Sequence, residues 1–291
     1  MISASTDELD DSRRWHILQH RRQEIITCQA VELFRSYEIE PLVIKGVAAA
    51  RYYPEGNYRI SSDVDLAVAE TDFARANELL ATGTIPVPID LHRELRHLDT
   101  APWDDLMANS VQLSLPEGNV RVLRPEDDLR LLVVHWLTDG GAYKDRLWDI
   151  YYLIERRAEN FDWDRCLSTV NNRRRRWIEC VAGIAAKYLG LDLSDTPLAG
   201  ASDRLPNWFI RTIEREWAAE IKAIPLEAVL DDRRMLVTQL LRRMRPNPIY
   251  ATVDCEGDFD ARTRIFYQLR NGIGRIPSSY RRVSSVLRAT K

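Results

Sequence analysis

Hydrophobic and polar positions change their spacing several times along the first third of the chain. Between residues 12 and 37 the apolar residues recur at the spacing of an amphipathic helix. The apolar run at 42–44 then predicts a short strand, and a second short helix follows over 47–53 until Pro54 and Gly56 stop it. The pattern therefore predicts a helix, a strand and a helix before the first acidic motif.

The segment YRISSDVDLAVAE, at 58–70, predicts a strand whose two faces differ in chemistry. Aliphatic residues at 64, 66 and 68 alternate with Asp63, Asp65 and Ala67. Because successive strand side chains point to opposite faces, one face is aliphatic and the other carries two neighbouring carboxylates. Aspartate is rare in strands, so the pair indicates a functional role. An exposed edge strand with two solvated acids is the alternative.

The segment PVPIDLH, at 86–92, repeats this alternation, with Asp90 and His92 on the polar face. Between the two strands, Thr71 is a candidate N-cap for a helix that ends at Gly83. Alternating runs at 111–115 and 120–122, joined by a Pro-Glu-Gly-Asn turn, predict a hairpin. The chain thus supplies several short strands, two of which carry acids.

From Pro125 onward the spacing is helical. Pro125 and the three acidic residues behind it are typical of a helix N-terminus. Further helices are predicted at about 143–157, 162–189, 205–223 and 226–245. The sequence therefore predicts an α+β fold with two domains. Residues 1–123 would form one helix and a small mixed β-sheet with flanking helices, and residues 124–291 a mainly α-helical half.

Composition narrows the classes of partner. The 291 residues carry a formal net charge of -3, and the pI is near 6.0, which gives no global attraction to nucleic acid or to an anionic membrane. Only five of the 41 basic residues are lysines. A lysine beside a candidate site is therefore noteworthy in this chain.

Cysteine usage and hydropathy favour a reducing, aqueous compartment. The four cysteines include no C-x-x-C pair, which argues against a zinc site and a disulfide framework. No apolar run approaches the roughly 18 residues needed to cross a bilayer. We expect a cytoplasmic protein with no membrane partner, in a compartment that supplies nucleoside triphosphates and Mg²⁺.

Three carboxylates on the two acidic strands form the candidate catalytic site: Asp63, Asp65 and Asp90. If the strands are neighbours, like charges in a partly desolvated cleft raise one another's pKa. A divalent cation removes this conflict, and carboxylate oxygens suit Mg²⁺ or Mn²⁺. Two such ions can activate an attacking hydroxyl and stabilise the leaving group in a displacement at phosphorus.

Residues near the acidic strands are candidates for triphosphate binding. Lys45 and Gly46, at the end of the first strand, would hold phosphates by point charge and by close backbone approach. Arg59 is expected either to contact phosphate or to pair with one of the aspartates. Lys144 is expected either to reach a triphosphate or to begin a solvated helix. His92 could orient a metal ligand, serve as a base, or be a histidine at the edge of the core with a satisfied hydrogen bond.

Three motifs in chain order carry a resemblance to a known family. They are IKGVAAARYYPEGNYRISSDVDLAV at 44–68, Asp-Leu-His at 90–92 and LRPEDDLRLLVVHW at 123–136. From about residue 40 to 157 the chain resembles a family of uncharacterised nucleotidyltransferases within the DNA polymerase β-like superfamily. The ordered set of motifs is fairly specific, whereas Asp-x-Asp alone is weak.

The resemblance implies a nucleotidyltransferase palm in the small sheet. It implies that Asp63 and Asp65 bind metal, and that Asp90 helps to hold a metal and to activate the acceptor. The implied reaction transfers a nucleoside monophosphate and releases pyrophosphate.

One departure from the superfamily pattern affects the phosphate site. Gly-Ser is usual where this chain has Gly46-Val47, so the phosphate contact of the serine would come from Lys45 or Ser62. A non-catalytic nucleotide-binding scaffold is therefore one alternative function.

We expect an Mg²⁺- or Mn²⁺-dependent nucleotidyltransferase, and the expected nucleotidyl group is AMP, taken from ATP. Another nucleoside triphosphate is the alternative donor. The acceptor is an unknown small molecule, peptide or protein. A toxin-like enzyme of the same superfamily that acts on RNA ends is a further alternative. The last 21 residues, 271–291, carry five basic residues and Tyr280 but no acid. That composition suits RNA, or else belongs to a disordered tail, and RNA is the less favoured acceptor.

Overall fold

The computed structural model describes residues 6–83, 88–95, 101–219, 232, 234–235 and 246–274. The chain forms two compact units. The first contains residues 1–132 and 149–170, and the second contains residues 133–148 and 171–291. The predicted division between residues 123 and 124 stays a prediction.

Short strands and helices alternate in the N-terminal part of the chain. The elements up to residue 168 are α1 (Thr6–Arg35), β1 (Leu42–Ile44), α2 (Gly46–Ala50), β2 (Val64–Val68), α3 (Glu70–Ala81), β3 (Ile89–Arg93), α4 (Trp103–Ala108), β4 (Val111–Leu115), β5 (Gly118–Val122), α5 (Pro125–Thr138), α6 (Leu147–Glu155) and α7 (Trp163–Ser168). The short helix α4 is absent from the sequence-based prediction.

The five described strands form one mixed sheet in the order β3-β2-β1-β5-β4. Strand β1 runs antiparallel to β2 and parallel to β5, and β2 runs parallel to β3. Strands β4 and β5 form the predicted antiparallel hairpin. The predicted α+β class is confirmed, with the sheet in the N-terminal part and a mainly helical C-terminal half.

Each face of the sheet has its own hydrophobic cluster. The aliphatic face of β2 packs with Val31 and Phe34 of α1, because its residues 64, 66 and 68 share one side of the strand. The opposite face packs with Leu106 of α4 and Leu131 of α5. Asp65, one residue out of phase with the aliphatic positions, belongs to this second face.

The helix expected to begin with Thr71 as its N-cap begins earlier, so that prediction was wrong. Ala69 has the N-cap position without a side-chain hydrogen bond, and its carbonyl accepts the N–H of Asp72 at 3.0 Å. Glu70 and Asp72 then lie in the first turn. Their carboxylates complement the positive end of the helix dipole.

The single helix predicted at 162–189 is two helices, α7 and α8 (Asn172–Leu189). The Asn171 side chain caps α8 by accepting the N–H of Arg174 at 2.9 Å. Asp162 caps α7 in the same way through the N–H of Arg165, at 2.8 Å. Apolar periodicity continues across the break, but each side-chain cap fixes a new helix N-terminus.

The second unit contains α8, a 3₁₀ turn (Ala201–Arg204), α9 (Asn207–Ala218), a short helix (Pro248–Asp254) and a helix at 265–274. Aromatic rings fill its core, with Phe259 5.1 Å from Phe209 and 6.1 Å from Trp177 between ring centroids. A Cβ atom on Gly183 would lie 2.8 Å from the carbonyl oxygen of Ala201. Glycine therefore lets α8 approach the 3₁₀ turn closely.

Some sequence-based predictions lie outside the described residues. They are the start of the strand at 86–92, most of the helix at 226–245, and residues 275–291 of the basic tail with Arg275, Tyr280, Arg281, Arg282, Arg288 and Lys291. Among the helices that the structure describes, none is long and apolar enough to cross a membrane.

Leu66 should contribute strongly to stability because it is fully buried in an interior strand of the sheet. Replacing Leu66 with alanine should lower the free energy of unfolding by about 2–5 kcal/mol, since buried methyl groups are lost and a cavity remains. Urea denaturation measures this. The control is Val111→Ala in edge strand β4, where the side chain is 40% exposed. Equal losses in the two variants would contradict the assigned core.

Candidate active site

The register of three strands brings three of the predicted site residues, Lys45, Asp65 and Asp90, together at one edge of the sheet. Ile44, the last residue of β1, pairs with Asp65 in the antiparallel strand β2. In the parallel strand β3, Asp90 pairs with Asp65. The end of β1 therefore meets the starts of β2 and β3. Lys45 follows β1 directly, so its side chain reaches both carboxylates.

Four side chains converge at this edge. The Lys45 ammonium forms a salt bridge with Asp65 Oδ1 and lies 3.9 Å from Asp90 Oδ2. His92 Nε2 lies 3.1 Å from Asp90 Oδ2 and 3.4 Å from Asp65 Oδ1. Asp65 is 6% exposed and Lys45 7% exposed, whereas the side chain of Asp90 is 53% exposed. The cluster thus extends from the core to solvent.

Hydrogen bonds within the cluster shift two pKa values. The bond with His92 lowers the pKa of Asp90 from 3.8 to about 2. Burial disfavours the charged form of His92, but hydrogen bonds with Asp65 and Asp90 outweigh it and raise the pKa of His92 from 6.5 to about 9. Without a metal, the cations of Lys45 and His92 therefore balance the two carboxylates at neutral pH.

The donor set fits a divalent cation. Asp65, Asp90 and His92 each offer one ligand atom, and these three atoms lie within 4.8 Å of one another. Ligands of one such ion lie up to roughly 4.2 Å apart, given metal–ligand distances of about 2.1 Å. A small side-chain rotation would therefore bring all three atoms to one ion. Two carboxylate oxygens and an imidazole nitrogen are ordinary ligands of divalent metals.

The backbone at the end of β1 has an unusual conformation. Lys45 has φ 55° and ψ -133°, and Gly46 also has a positive φ of 30°. Positive φ is costly for a residue with a side chain, so the surrounding contacts must hold Lys45 in this position. A Cβ atom on Gly46 would lie 3.9 Å from Ser61 Oγ. Among the described contacts, Ser61 therefore provides the hydroxyl nearest to Gly46.

Asp63 and Ser62 lie just before β2, outside the cluster of Lys45, Asp65, Asp90 and His92. The backbone carbonyl of Asp63 accepts hydrogen bonds from the Gln23 side chain and, at 3.1 Å, from Ser61 Oγ. Its carboxylate lies 3.4 Å from the same hydroxyl. Ser62 is exposed. Metal binding by Asp63 and phosphate binding by Ser62 therefore stay predictions.

Arg59 pairs with an aspartate that the sequence did not link to it. Its Nε and Nη2 donate to the two carboxylate oxygens of Asp149, in α6, at 2.8 and 2.9 Å. The Tyr53 hydroxyl donates to Asp149 Oδ1 at 2.7 Å. This bidentate geometry is the strong form of an ion pair. Phosphate binding by Arg59 stays a prediction.

A second, similar group lies beside it. The Tyr52 hydroxyl donates to Asp128 Oδ2, in α5, at 3.1 Å, and Arg51 Nη2 lies 3.2 Å from the same oxygen. The other oxygen of Asp128 is buried without a hydrogen bond. Burial raises the pKa of Asp128 to about 6, with the charge of Asp149 adding to it, while Arg51, Tyr52 and Arg59 act in the opposite direction.

Lys144 lies in the second unit. Its ammonium is 5.2 Å from the centroid of the Trp217 ring, a cation–π distance. Triphosphate binding by Lys144 stays a prediction.

Sequence reasoning left His92 open and did not find the roles of Asp149 and Ser61. The spacing of two residues between Asp90 and His92 indicates a shared strand face, and this signal could have favoured His92 for the metal site. No local signal links Asp149 to Arg59, because 90 residues separate them. Only the packing of α6 brings them together.

Comparisons with known proteins give the following matches. A family model described as an uncharacterised nucleotidyltransferase matches residues 3–86 and 82–190. No curated protein matches the chain. The crystal structure of an antigenic nucleotidyltransferase-like protein from Paracoccidioides brasiliensis is similar, with a TM-score of 0.43 and 15% sequence identity, over 60% of this chain and 90% of that one.

The raised pKa of Asp128 predicts a pH dependence of stability. An aspartate in an unfolded chain has a pKa near 3.9, so the folded state binds this proton more tightly. The free energy of unfolding of the wild type, relative to Asp128→Asn, should fall as pH rises from about 4 to about 6, by on the order of 3 kcal/mol. Urea denaturation at pH 4, 5, 6 and 7 measures this difference.

The control for this pH series is Asp104→Asn, which changes an exposed acid in the first turn of α4. Its difference from the wild type should stay nearly constant over the same range. A constant difference for Asp128→Asn as well would contradict the raised pKa.

Proposed function

This chain belongs to the family of uncharacterised nucleotidyltransferases, and from that premise we propose that it transfers a nucleoside monophosphate from a nucleoside triphosphate to an acceptor. ATP is the proposed donor, and pyrophosphate is the product that leaves. The observation that carries this proposal is the convergence of Asp65, Asp90 and Lys45 at one edge of the sheet. Neighbouring carboxylates beside a lysine are the kind of groups that metal-assisted phosphoryl transfer uses.

Asp65, Asp90 and His92 would hold the metal, and Asp63 would complete its ligands. A bound divalent cation supplies charge stabilisation at the phosphate oxygens and at the attacking and leaving oxygens. Asp65 is the buried anchor of this set, whereas Asp90 remains accessible to a substrate. We infer that the metal is Mg²⁺ or Mn²⁺.

Lys45 would have two partners in turn. In the metal-free protein its ammonium forms a salt bridge with the buried carboxylate of Asp65. With Asp65 and Asp90 engaged by a bound metal, the Lys45 ammonium would be available to a phosphate oxygen of the triphosphate. The backbone of Gly46 would approach the phosphates closely, with Ser61 or Ser62 supplying the hydroxyl that the Gly-Ser motif provides elsewhere in the superfamily.

The proposed reaction is a single displacement at the α-phosphorus. An acceptor oxygen attacks the α-phosphorus as the bond from that phosphorus to the bridging oxygen of the β-phosphate breaks. The acceptor proton passes to Asp90, whose carboxylate is half exposed, or to water. Lys45 and Arg59 balance the charge that builds up on the departing pyrophosphate.

The acceptor would be a small molecule, a peptide or a protein. The proposed location is the cytoplasm, where nucleoside triphosphates and Mg²⁺ are available. Mass spectrometry of a cell extract incubated with the protein and ATP would name the acceptor by the mass it gains. Label found on RNA ends instead would favour the toxin-like alternative.

Replacing Asp65 with asparagine should abolish the proposed reaction, because the buried anchor of the metal site loses its charge. We expect metal-dependent release of pyrophosphate from ATP to fall at least about a hundredfold. The control is Glu78→Gln, which changes an exposed acid on α3. The melting temperature without metal should be compared as well, since Lys45 loses its partner.

Two results would count against the enzyme. A wild-type protein that binds nucleotide but releases no pyrophosphate with any acceptor pool would favour the non-catalytic scaffold. Equal pyrophosphate release by Asp65→Asn and the wild type would exclude this site.

His92 should make the site favour Mn²⁺ over Mg²⁺. Imidazole is a ligand of transition metals more than of Mg²⁺, which prefers oxygen. Electron paramagnetic resonance of Mn²⁺, with Mg²⁺ as competitor, should show that His92→Ala weakens Mn²⁺ binding about tenfold. His16→Ala, in α1, is the control. Unchanged Mn²⁺ affinity in His92→Ala would remove His92 from the ligand set.

A further inference from the structure

The segment from Arg51 to Arg59 carries two groups of the same composition. In each, an aspartate from a following helix accepts a hydrogen bond from a tyrosine hydroxyl and pairs with an arginine. The first group is Arg51, Tyr52 and Asp128, and the second is Arg59, Tyr53 and Asp149. Both aspartates are almost fully buried, at 1% and 3% exposure. The two groups differ in the surroundings of their arginines.

The first group is internal to the fold. Arg51 Nη2 donates to the backbone carbonyl of Leu123 at 2.7 Å, as well as to Asp128. It therefore fixes the chain after α2 to the start of α5. None of its described contacts involves the residues of the metal cluster.

The second group leads to the metal cluster. Burial disfavours the charged form of Arg59, but Asp149 outweighs it and raises the pKa of the guanidinium, with a smaller contribution from the charge of Asp65. Arg59 also lies two residues before Ser61, the hydroxyl beside Gly46. With Nε and Nη2 engaged by Asp149, no described hydrogen bond uses Nη1. Nη1 is also absent from the buried atoms that lack a partner, so this nitrogen keeps some solvent exposure in a side chain that is 11% exposed.

Asp149 also decides which acid Arg59 meets. Without that partner, the acids left within electrostatic reach of Arg59 would include Asp128 of the first group and Asp65 of the metal cluster, which already holds Lys45. An arginine drawn onto Asp65 would compete with a metal ion. The bidentate pair with Asp149 keeps the guanidinium in one orientation, so less rotamer entropy is lost when an anion binds.

We propose that Asp149 is a positioning residue for the triphosphate: it holds Arg59 beside the metal carboxylates with Nη1 directed to a phosphate oxygen of the nucleotide. The inference rests on the proposed function, since it needs a triphosphate at this site. Asp149 itself touches neither the nucleotide nor the metal. Its role acts through Arg59 alone.

Binding of a non-transferable nucleotide tests this role without an acceptor. The probe is the α,β-methylene analogue of ATP with Mg²⁺, measured by isothermal titration calorimetry on the full chain, with AMP in parallel. Asp149→Asn should weaken binding of the analogue about tenfold, the effect of one charge-assisted hydrogen bond, and should leave AMP affinity within about twofold. A loss of affinity for the analogue without a loss for AMP would distinguish a phosphate contact from a general loss of structure.

The other group supplies the matched control. Asp128→Asn removes the same kind of charge from the same kind of group but leaves the pair of Arg59 and Asp149 in place, so it should leave affinity for the analogue unchanged. Equal weakening by both variants would show a structural role only. If Asp149→Asn does not fold, Asp149→Glu keeps the charge but displaces the carboxylate. A folded Asp149→Glu that binds the analogue as tightly as the wild type would overturn the inference.

A double-mutant cycle tests whether Asp149 acts through Arg59. Arg59→Ala should weaken binding of the analogue at least as much as Asp149→Asn. The double variant should bind no more weakly than Arg59→Ala, because the positioned group is already gone. A further loss in the double variant would overturn the inference. If the wild type binds neither the ATP analogue nor the corresponding analogues of GTP, CTP and UTP, the proposed function fails. Full binding of the ATP analogue by Asp149→Asn would overturn the inference alone.

Discussion

The buried charge of Asp65 constrains this molecule most. A carboxylate at 6% exposure in an interior strand needs a cation close by. Lys45 provides it directly after β1, in a backbone conformation that lysine rarely adopts. The register of β1 with β2, and of β2 with β3, therefore has to be as observed, since a shift of one residue would turn Asp65 into the aliphatic cluster. Stability and the candidate chemistry depend on the same pairing.

The segment between α2 and β2 has little regular structure, yet it borders the site. Its shape depends on two acids supplied by helices that follow the sheet, Asp128 and Asp149. Each accepts hydrogen bonds from a tyrosine and an arginine of the segment, so the helices and the segment stabilise each other. One oxygen of Asp128 is buried without a hydrogen bond, whereas both oxygens of Asp149 are bonded. This arrangement explains how a loop can present Arg59 in a fixed orientation.

Much of the fold could be predicted from residue spacing, because strands and helices differ in period. The alternation at 58–70 predicts β2 and its acidic face, and the hairpin of β4 and β5 follows from a turn between alternating runs. Helix boundaries were less accessible. The break between α7 and α8 depends on Asn171 accepting a backbone hydrogen bond, and asparagine at that position is equally compatible with a continuous helix.

By itself the sequence determined which residue types could form a site: acids on alternating positions, one scarce lysine beside a glycine, and their order in the chain. The two-residue period of a strand determines that the acids share one face, since a side chain's face follows from its position in the strand. The tertiary structure decided which side chains pair with one another in the site. His92 joins the carboxylates because β3 lies beside β2, and Asp149 takes Arg59 because α6 packs there. Such pairings join residues tens of positions apart, and no local pattern encodes them.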